Sequence, residues 1–292
     1  MNNVEYIYVR TPVFKKADKN TYLFQVVDNS EYKNDVHGKG CTEKVYTPDA
    51  FKEFCANAKL WSVNLHLSKQ IELDFLTSAI EHCNIESFEL HFPDKSGINL
   101  SPLEKLKNVE QIFLFELSRI EELWDTTKNP KLKLLHILNC NRLHNFTQLE
   151  NSHIETLKLF GCNGLSSFTS KLHIDDFSFV MRMPKLKSLH IEIIKDKPSD
   201  YYLNILAQMK NLQEFMCPES FFTFEQFAWL ASKLPDAKGL EPSLYCKELD
   251  TYSIIGNRKP RFLKDKQRIE KYEIQYRQLI KDFKLQNTPP LG

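Results

Sequence analysis

A strand-like phrase of the form LxxLxL returns five times through the middle of this chain. It begins at Leu60, Ile85, Val109, Leu132 and Ile154, at spacings of 25, 24, 23 and 22 residues. A unit this short cannot bury its apolar face alone and has to stack on copies of itself, so the period dictates a solenoid.

The clearest copies are KLKLLHILNCNRLHNF (131–146) and HIETLKLFGCNGLSSF (153–168). They match at Leu132/Ile154, Leu135/Leu157, Ile137/Leu159, Cys140/Cys162, Leu143/Leu165 and Phe146/Phe168. These residues resemble the leucine-rich repeat family, in particular its cysteine-containing variant with the phrase LxxLxLxxCxxL. The resemblance spans roughly residues 60–217. It departs from the pattern at Leu117, which holds the cysteine position of the Val109 unit, and in 186–217, where nothing occupies that position. The stretch SIIGNRKPRFLKDKQRIEKY (253–272) is also similar to the tail of bacterial leucine-rich repeat proteins. The resemblance implies an α/β solenoid: a parallel sheet on the inner, concave face, short helices or irregular segments outside, and non-repeating N- and C-terminal caps. It further implies that Cys140 and Cys162 sit at the bend after the strand, against backbone groups of the turn, and that the concave face grips another protein.

Charge and cysteine usage narrow the alternatives. Lys+Arg 39 against Asp+Glu 38 leaves a net charge of +1, so nothing global recruits nucleic acid or an anionic membrane. Locally, residues 258–284 carry ten Lys/Arg against four Asp/Glu, a basic tail on a mildly acidic body. Eight glycines are few for an enzyme built on glycine-rich phosphate loops. Seven cysteines, an odd number without a CxxC pair, read as reduced thiols in a cytoplasmic protein. No secretory signal or membrane-length apolar run is evident, and Asn99-Leu-Ser and Asn145-Phe-Thr fit the glycosylation pattern without consequence in such a compartment.

Three regions follow. Residues 1–58 form an N-terminal cap: VEYIYVR and TYLFQVV predict a hairpin, and Thr47-Pro48-Asp49 opens a helix to about Ala58. Residues 59–236 are the repeat solenoid of about seven strands, the last two phrases being LKSLHIEI (186–193) and LQEFMC (212–217). Helical patterns are predicted at Ile71–His82, Pro102–Leu106, Ile174–Met183 and Ser199–Met209, with a capping box at Thr223–Gln226. Residues 237–292 form a C-terminal cap with a final edge strand, YSIIG (252–256), and a basic helix over 261–284.

Side chains alternate across a strand, so the residues between the inner leucines face outward. The middle column reads Asn64, Glu89, Phe113, His136, Lys158, His190, Met216. Its neighbour towards the strand ends reads His66, His91, Phe115, Leu138, Phe160, Glu192, and the one towards the strand starts contains Leu134. Phe113, Phe115, Leu134, Leu138 and Phe160 thus cluster on three adjacent strands, rimmed by His136, Lys158, His190 and Glu192, which is the anatomy of a protein-binding surface. A foreign protein, the chain's own N-terminal segment and a second copy are the coverings open to this patch. His66 and His91 stand in one column within reach of a shared metal, but the next strand offers Phe115 and two ligands seldom suffice. No GxSxG, GxxxxGK[ST] or HExxH occurs. The basic tail has Phe262, Tyr272, Tyr276 and Phe283; nucleic-acid binding is one reading, and a helix docked on the last repeat is the simpler one. The sequence therefore predicts a non-catalytic, cofactor-free, metal-free scaffold recognising a protein partner, with an adaptor or toxin-immunity role conceivable by the bacterial resemblance. The rivals are a metal or enzymatic protein using His66 and His91, and a nucleic-acid binder.

Overall fold

The computed structural model describes residues 5–10, 24–28, 43–46, 48–57, 60–67, 69–92, 97–161, 172–192, 200–247, 249–256 and 261–291. Seven strands lie side by side in chain order, all parallel: β4 (Leu60–His66), β5 (Ser87–His91), β6 (Gln111–Phe115), β7 (Leu134–Leu138), β8 (Thr156–Phe160), β9 (Ser188–Glu192) and β10 (Glu214–Met216). Short helices and turns carry the chain from each strand to the next, a solenoid-like α/β arrangement. The N-terminal segment extends the same sheet: β1 (Glu5–Arg10) pairs parallel with β4, and β2 (Phe24–Asp28) and β3 (Glu43–Tyr46) follow antiparallel. The expected hairpin is β1–β2; the third strand was not foreseen.

The pleat runs as the alternation requires. Ile112 and Leu114, Leu135 and Ile137, Leu157 and Leu159, Leu189 and Ile191 are wholly buried, while the residues between them are half-buried on the other face, apart from the exposed Glu192. Each such aliphatic side chain removed from water contributes about 1.5–3 kcal/mol. The leading residues Ile85, Val109, Leu132, Ile154, Leu186 and Leu212 join the same core. Register is uniform beyond the strands too: Glu116 N donates to Leu138 O (3.0 Å), Asn139 N to Phe160 O (2.9 Å) and Gly161 N to Glu192 O (3.0 Å). Glu116 and Asn139, at equivalent places, both turn with φ of 59°.

The returns share a local device. Asn99 Oδ1 accepts from Ser101 N (2.9 Å), Asp125 Oδ1 from Thr127 N (3.1 Å), Asn145 Oδ1 from Thr147 N (3.0 Å) and Asp176 Oδ1 from Ser178 N (2.8 Å). Each opens a 3₁₀ turn, over Ser101–Lys105, Thr126–Lys128, Thr147–Leu149 and Phe177–Arg182. An Asx side chain that bonds the backbone two residues on stands in for a turn of backbone. The two Asn-x-Ser/Thr sequences are therefore turn motifs of the returns. The helix expected over 174–183 is the last of these turns, tighter and shorter than an α-helix.

Longer returns carry α-helices. These are α1 (Pro48–Asn57), α2 (Gln70–Ile80), α3 (Asp200–Gln208) and α4 (Phe224–Lys233), the last opened by the expected capping box of Thr223 and Gln226. The parallel ladder takes one step past 236, because Lys238 N donates to Gln213 O (2.9 Å) and Phe215 N to Lys238 O (2.9 Å). Beyond it lies a separate three-stranded antiparallel sheet of β11 (Ser243–Cys246), β12 (Thr251–Ile254) and β13 (Arg261–Leu263). The strand expected at an edge, β12, is its centre. The basic helix α5 (Lys266–Phe283) starts later than expected, since residues 261–263 belong to β13 and Asp265 caps its start. It docks on α4 through Tyr276, Leu279, Ile280 and Phe283, and Lys233 Nζ reaches the carbonyls of Phe283 and Lys284 at its C-terminus (3.1 Å each), where a cation favours the helix dipole.

Candidate functional site

The unburied face of β5 to β8 gathers aromatic rings into one continuous ladder. His91 lies 4.8 Å from Phe115 between ring centroids, Phe113 lies 6.2 Å from Phe115, and His136 meets Phe113, Phe115 and Phe160 edge-on at 5.9, 5.5 and 4.9 Å. Edge-to-face contacts at these separations are the favoured ones for aromatic pairs, each worth about 0.5–1.5 kcal/mol beyond burial. Leu134 and Leu138 complete the patch on β7, paired by register with Gln111 and Phe115 on one side and with Thr156 and Phe160 on the other. All five apolar residues are half-buried, since the rings shield one another. Seven strands at about 4.8 Å spacing make a face roughly 30 Å long, with this patch at its middle.

His136 is the hub. Burial among the rings lowers its pKa to about 4, with Lys158 and His190 adding to the effect and Glu89 opposing it. At neutral pH the imidazole is uncharged, and its Nε2 is buried without a hydrogen-bond partner. Lys158 stands across from it on β8, half-buried. Glu192 stands opposite Phe160 on β9 and is exposed. The nine predicted residues thus fall on one face of four neighbouring strands.

His190 belongs to a cluster that column-reading missed. Ser188 Oγ donates to Glu214 Oε2 (2.5 Å), His190 Nε2 lies 2.9 Å from the same oxygen, and Ser188 Oγ lies 3.1 Å from that nitrogen. Bonding from Ser188 first, then from His190, holds the Glu214 carboxyl below its usual range. Serine, histidine and glutamate invite a comparison with nucleophilic triads, but those place serine and carboxylate on opposite ring nitrogens. Here both oxygens face Nε2, so no path leads a proton from serine through the ring. Ser188 and Glu214 are direct register partners on β9 and β10, which was the available signal.

The other candidate residues sort as follows. His91 pairs with Glu89 across 2.5 Å, and His66 is its register partner on β4, its side chain lying outside the described residues. Among the described residues no group of three His, Cys, Asp or Glu is placed to hold a metal ion. Cys140 is fully buried at the bend after β7, its thiol donating to Leu138 O at 3.6 Å; burial pushes its pKa up to about 12. Cys162 lies outside the described residues. The cysteines that are described, Cys55, Cys83, Cys140, Cys217 and Cys246, are free thiols. Among the described residues no helix is long and apolar enough to cross a membrane.

No protein-family model matches the chain, and no curated protein matches it either. The geometry of the strand face therefore carries the functional argument alone. A second group of exposed apolar side chains lies in the C-terminal sheet and its turn: Phe262, noted in the sequence as part of the basic tail, and Leu244, Tyr245 and Leu249, which the sequence pattern did not single out.

Proposed function

We propose that this chain is a leucine-rich repeat solenoid of the cysteine-containing kind, acting as a non-catalytic scaffold that binds a protein partner on its strand face. The repeat reading is supported by the 22–25-residue period, by seven parallel strands in chain order and by Cys140 at the post-strand bend. One observation carries the binding reading: Phe113, Phe115, Leu134, Leu138 and Phe160 form a contiguous apolar patch on the face opposite the core. A sheet face with no packing duty is ordinarily polar, and a contiguous apolar exception rimmed by charge marks an interface. The described strands β1–β3 join the sheet edgewise at β4, two strands away from β6, so these strands themselves do not lie over the patch. Docking of α5 on α4 supports a capping role for the basic helix over nucleic-acid binding.

The test compares tagged wild-type protein with a Phe115→Asp/Phe160→Asp variant in quantitative affinity capture from the native host, after circular dichroism has shown equal folding. The reading expects a partner lost on the variant and kept on a distal Lys284→Asp control. An identical partner set for all three proteins rejects the patch as the binding site.

A further inference from the structure

Charged side chains around the strand face are largely engaged within the chain itself. At the strand entrances Lys133 reaches Glu110 and Lys187 reaches Glu155, both at 2.7 Å. On the face His91 meets Glu89, and His190 meets Glu214. Lys158 is different. It stands in the middle column of β8 between His136 and His190, neither of them an acid. Among the described residues it makes no ion pair or hydrogen bond. Glu192 is the near acid by register, opposite Phe160, and the two do not approach within ion-pair distance. A lysine half-buried beside apolar rings, with no acid of the described residues bound to it, offers its cation to an incoming carboxylate without an intramolecular competitor.

Resting on the protein-binding reading above, we propose that the partner presents an acidic segment: a carboxylate seated on Lys158 beside an aromatic or aliphatic anchor on the Phe113, Phe115 and Phe160 rings. The spacing suits this. Lys158 is one strand from His136 and two from Phe113. At about 4.8 Å per strand and about 3.3 Å per extended residue, an acid one to three residues from the anchor spans the gap. The rings supply area and the cation supplies direction, the division of labour between apolar centre and charge found at interfaces. A basic segment would be repelled by Lys158 with no neighbouring acid to relieve it, except at the Glu192 rim.

The experiment pans a phage-displayed library of random linear peptides against the full chain, the Lys158→Glu variant and the Phe115→Asp/Phe160→Asp variant, all verified folded. Selected peptides are then synthesised and measured by fluorescence anisotropy. Wild type is expected to enrich peptides with Asp or Glu within three residues of an aromatic or aliphatic anchor. Lys158→Glu should weaken them about tenfold and shift its own selection to basic peptides. Apolar peptides without acidic bias, bound equally by Lys158→Glu but lost on the double Phe variant, would overturn this proposal and leave the patch standing as a binding site. Absence of any peptide sensitive to the double Phe variant would defeat both readings. Single-stranded RNA retained by wild type and released by Lys158→Glu, with no acidic peptide enriched, would reassign the cation to phosphate and also overturn the proposal.

Discussion

Lys158 and His136 face each other on adjacent strands, and the ammonium adds to the burial that keeps the imidazole uncharged. The groups acting on this ring are Lys158 and His190, which disfavour protonation, and Glu89, which favours it. Its pKa falls from 6.5 to about 4 on folding, so between those values the unfolded chain binds more protons than the folded one. By linkage, the contribution of this residue to stability is fully present above about pH 6.5 and is lost as pH falls towards 4. Because the ring is only half-buried, the loss is on the order of 1–2 kcal/mol. Urea titrations from pH 7 to 4 on wild type and His136→Gln check this: the wild type should lose that much more than the variant, and parallel curves would refute the shift.

Leu134 and Leu135 are neighbours on β7 with opposite fates. Leu135 is wholly buried, and Leu134 lies half-buried on the strand face. Leu135→Ala should cost about 2–5 kcal/mol, since the stacked core around it relaxes only in part. Leu134→Ala should cost under about 1 kcal/mol and weaken any ligand of the face instead. Chemical denaturation of the two variants decides the pleat. Equal losses would mean that the sheet has no free face at β7.

Asn129 is a buried polar residue with its bonds satisfied. Its Nδ2 donates to Leu103 O and Leu106 O at 2.9 Å each, and its Oδ1 accepts from Trp124 Nε1 at 2.6 Å. It staples the return after β6 to the turn of the preceding unit. Asn129→Ala leaves the Trp124 indole N–H without this partner in the interior and removes one of two bonds from each of the Leu103 and Leu106 carbonyls, which costs about 1–3 kcal/mol. A fall in the urea midpoint, with a red-shifted tryptophan emission, is the expected result. An unchanged midpoint would show that water replaces the staple freely.

Much of the fold was legible because a period of about two dozen residues and a pleat of two are both written directly in residue order. Leu135, Ile137, Leu157 and Leu159 could be placed in the core, and Phe113, His136 and Phe160 on one face, without knowing anything else. What depends on cross-strand neighbours was harder to see. Burial of His136 needs rings contributed by the two strands flanking its own, and the Ser188–His190–Glu214 cluster needs two strands as well. The Asx turns were visible as Asn-Leu-Ser and Asn-Phe-Thr but carry another familiar meaning, and their partners at Asp125 and Asp176 break the literal pattern. The C-terminal sheet was missed because β11 and β13 are three or four residues long, too short for alternation to stand out. Residues 261–263 were absorbed into the helix for the same reason.

Gly256 offers a sharp test of how that small sheet is fixed to the solenoid. It follows β12 with φ of +80°, donates its N–H to Glu219 O at 2.6 Å, and passes close over the start of α4. A Cβ there would stand 2.4 Å from both Cα and N of Phe224, which is backbone and cannot swing aside. Gly256→Ala therefore combines a left-handed backbone penalty of about 1–2 kcal/mol with a steric clash, for a total of about 2–4 kcal/mol. Gly97→Ala is the control, since its nearest contact would be an ordinary 3.8 Å to Arg119 O. Hydrogen exchange should show Gly256→Ala loosening β11–β13 and the start of α4 while β6–β8 stay protected. Equal protection of both regions in both variants would mean that the turn has another way to pass over Phe224.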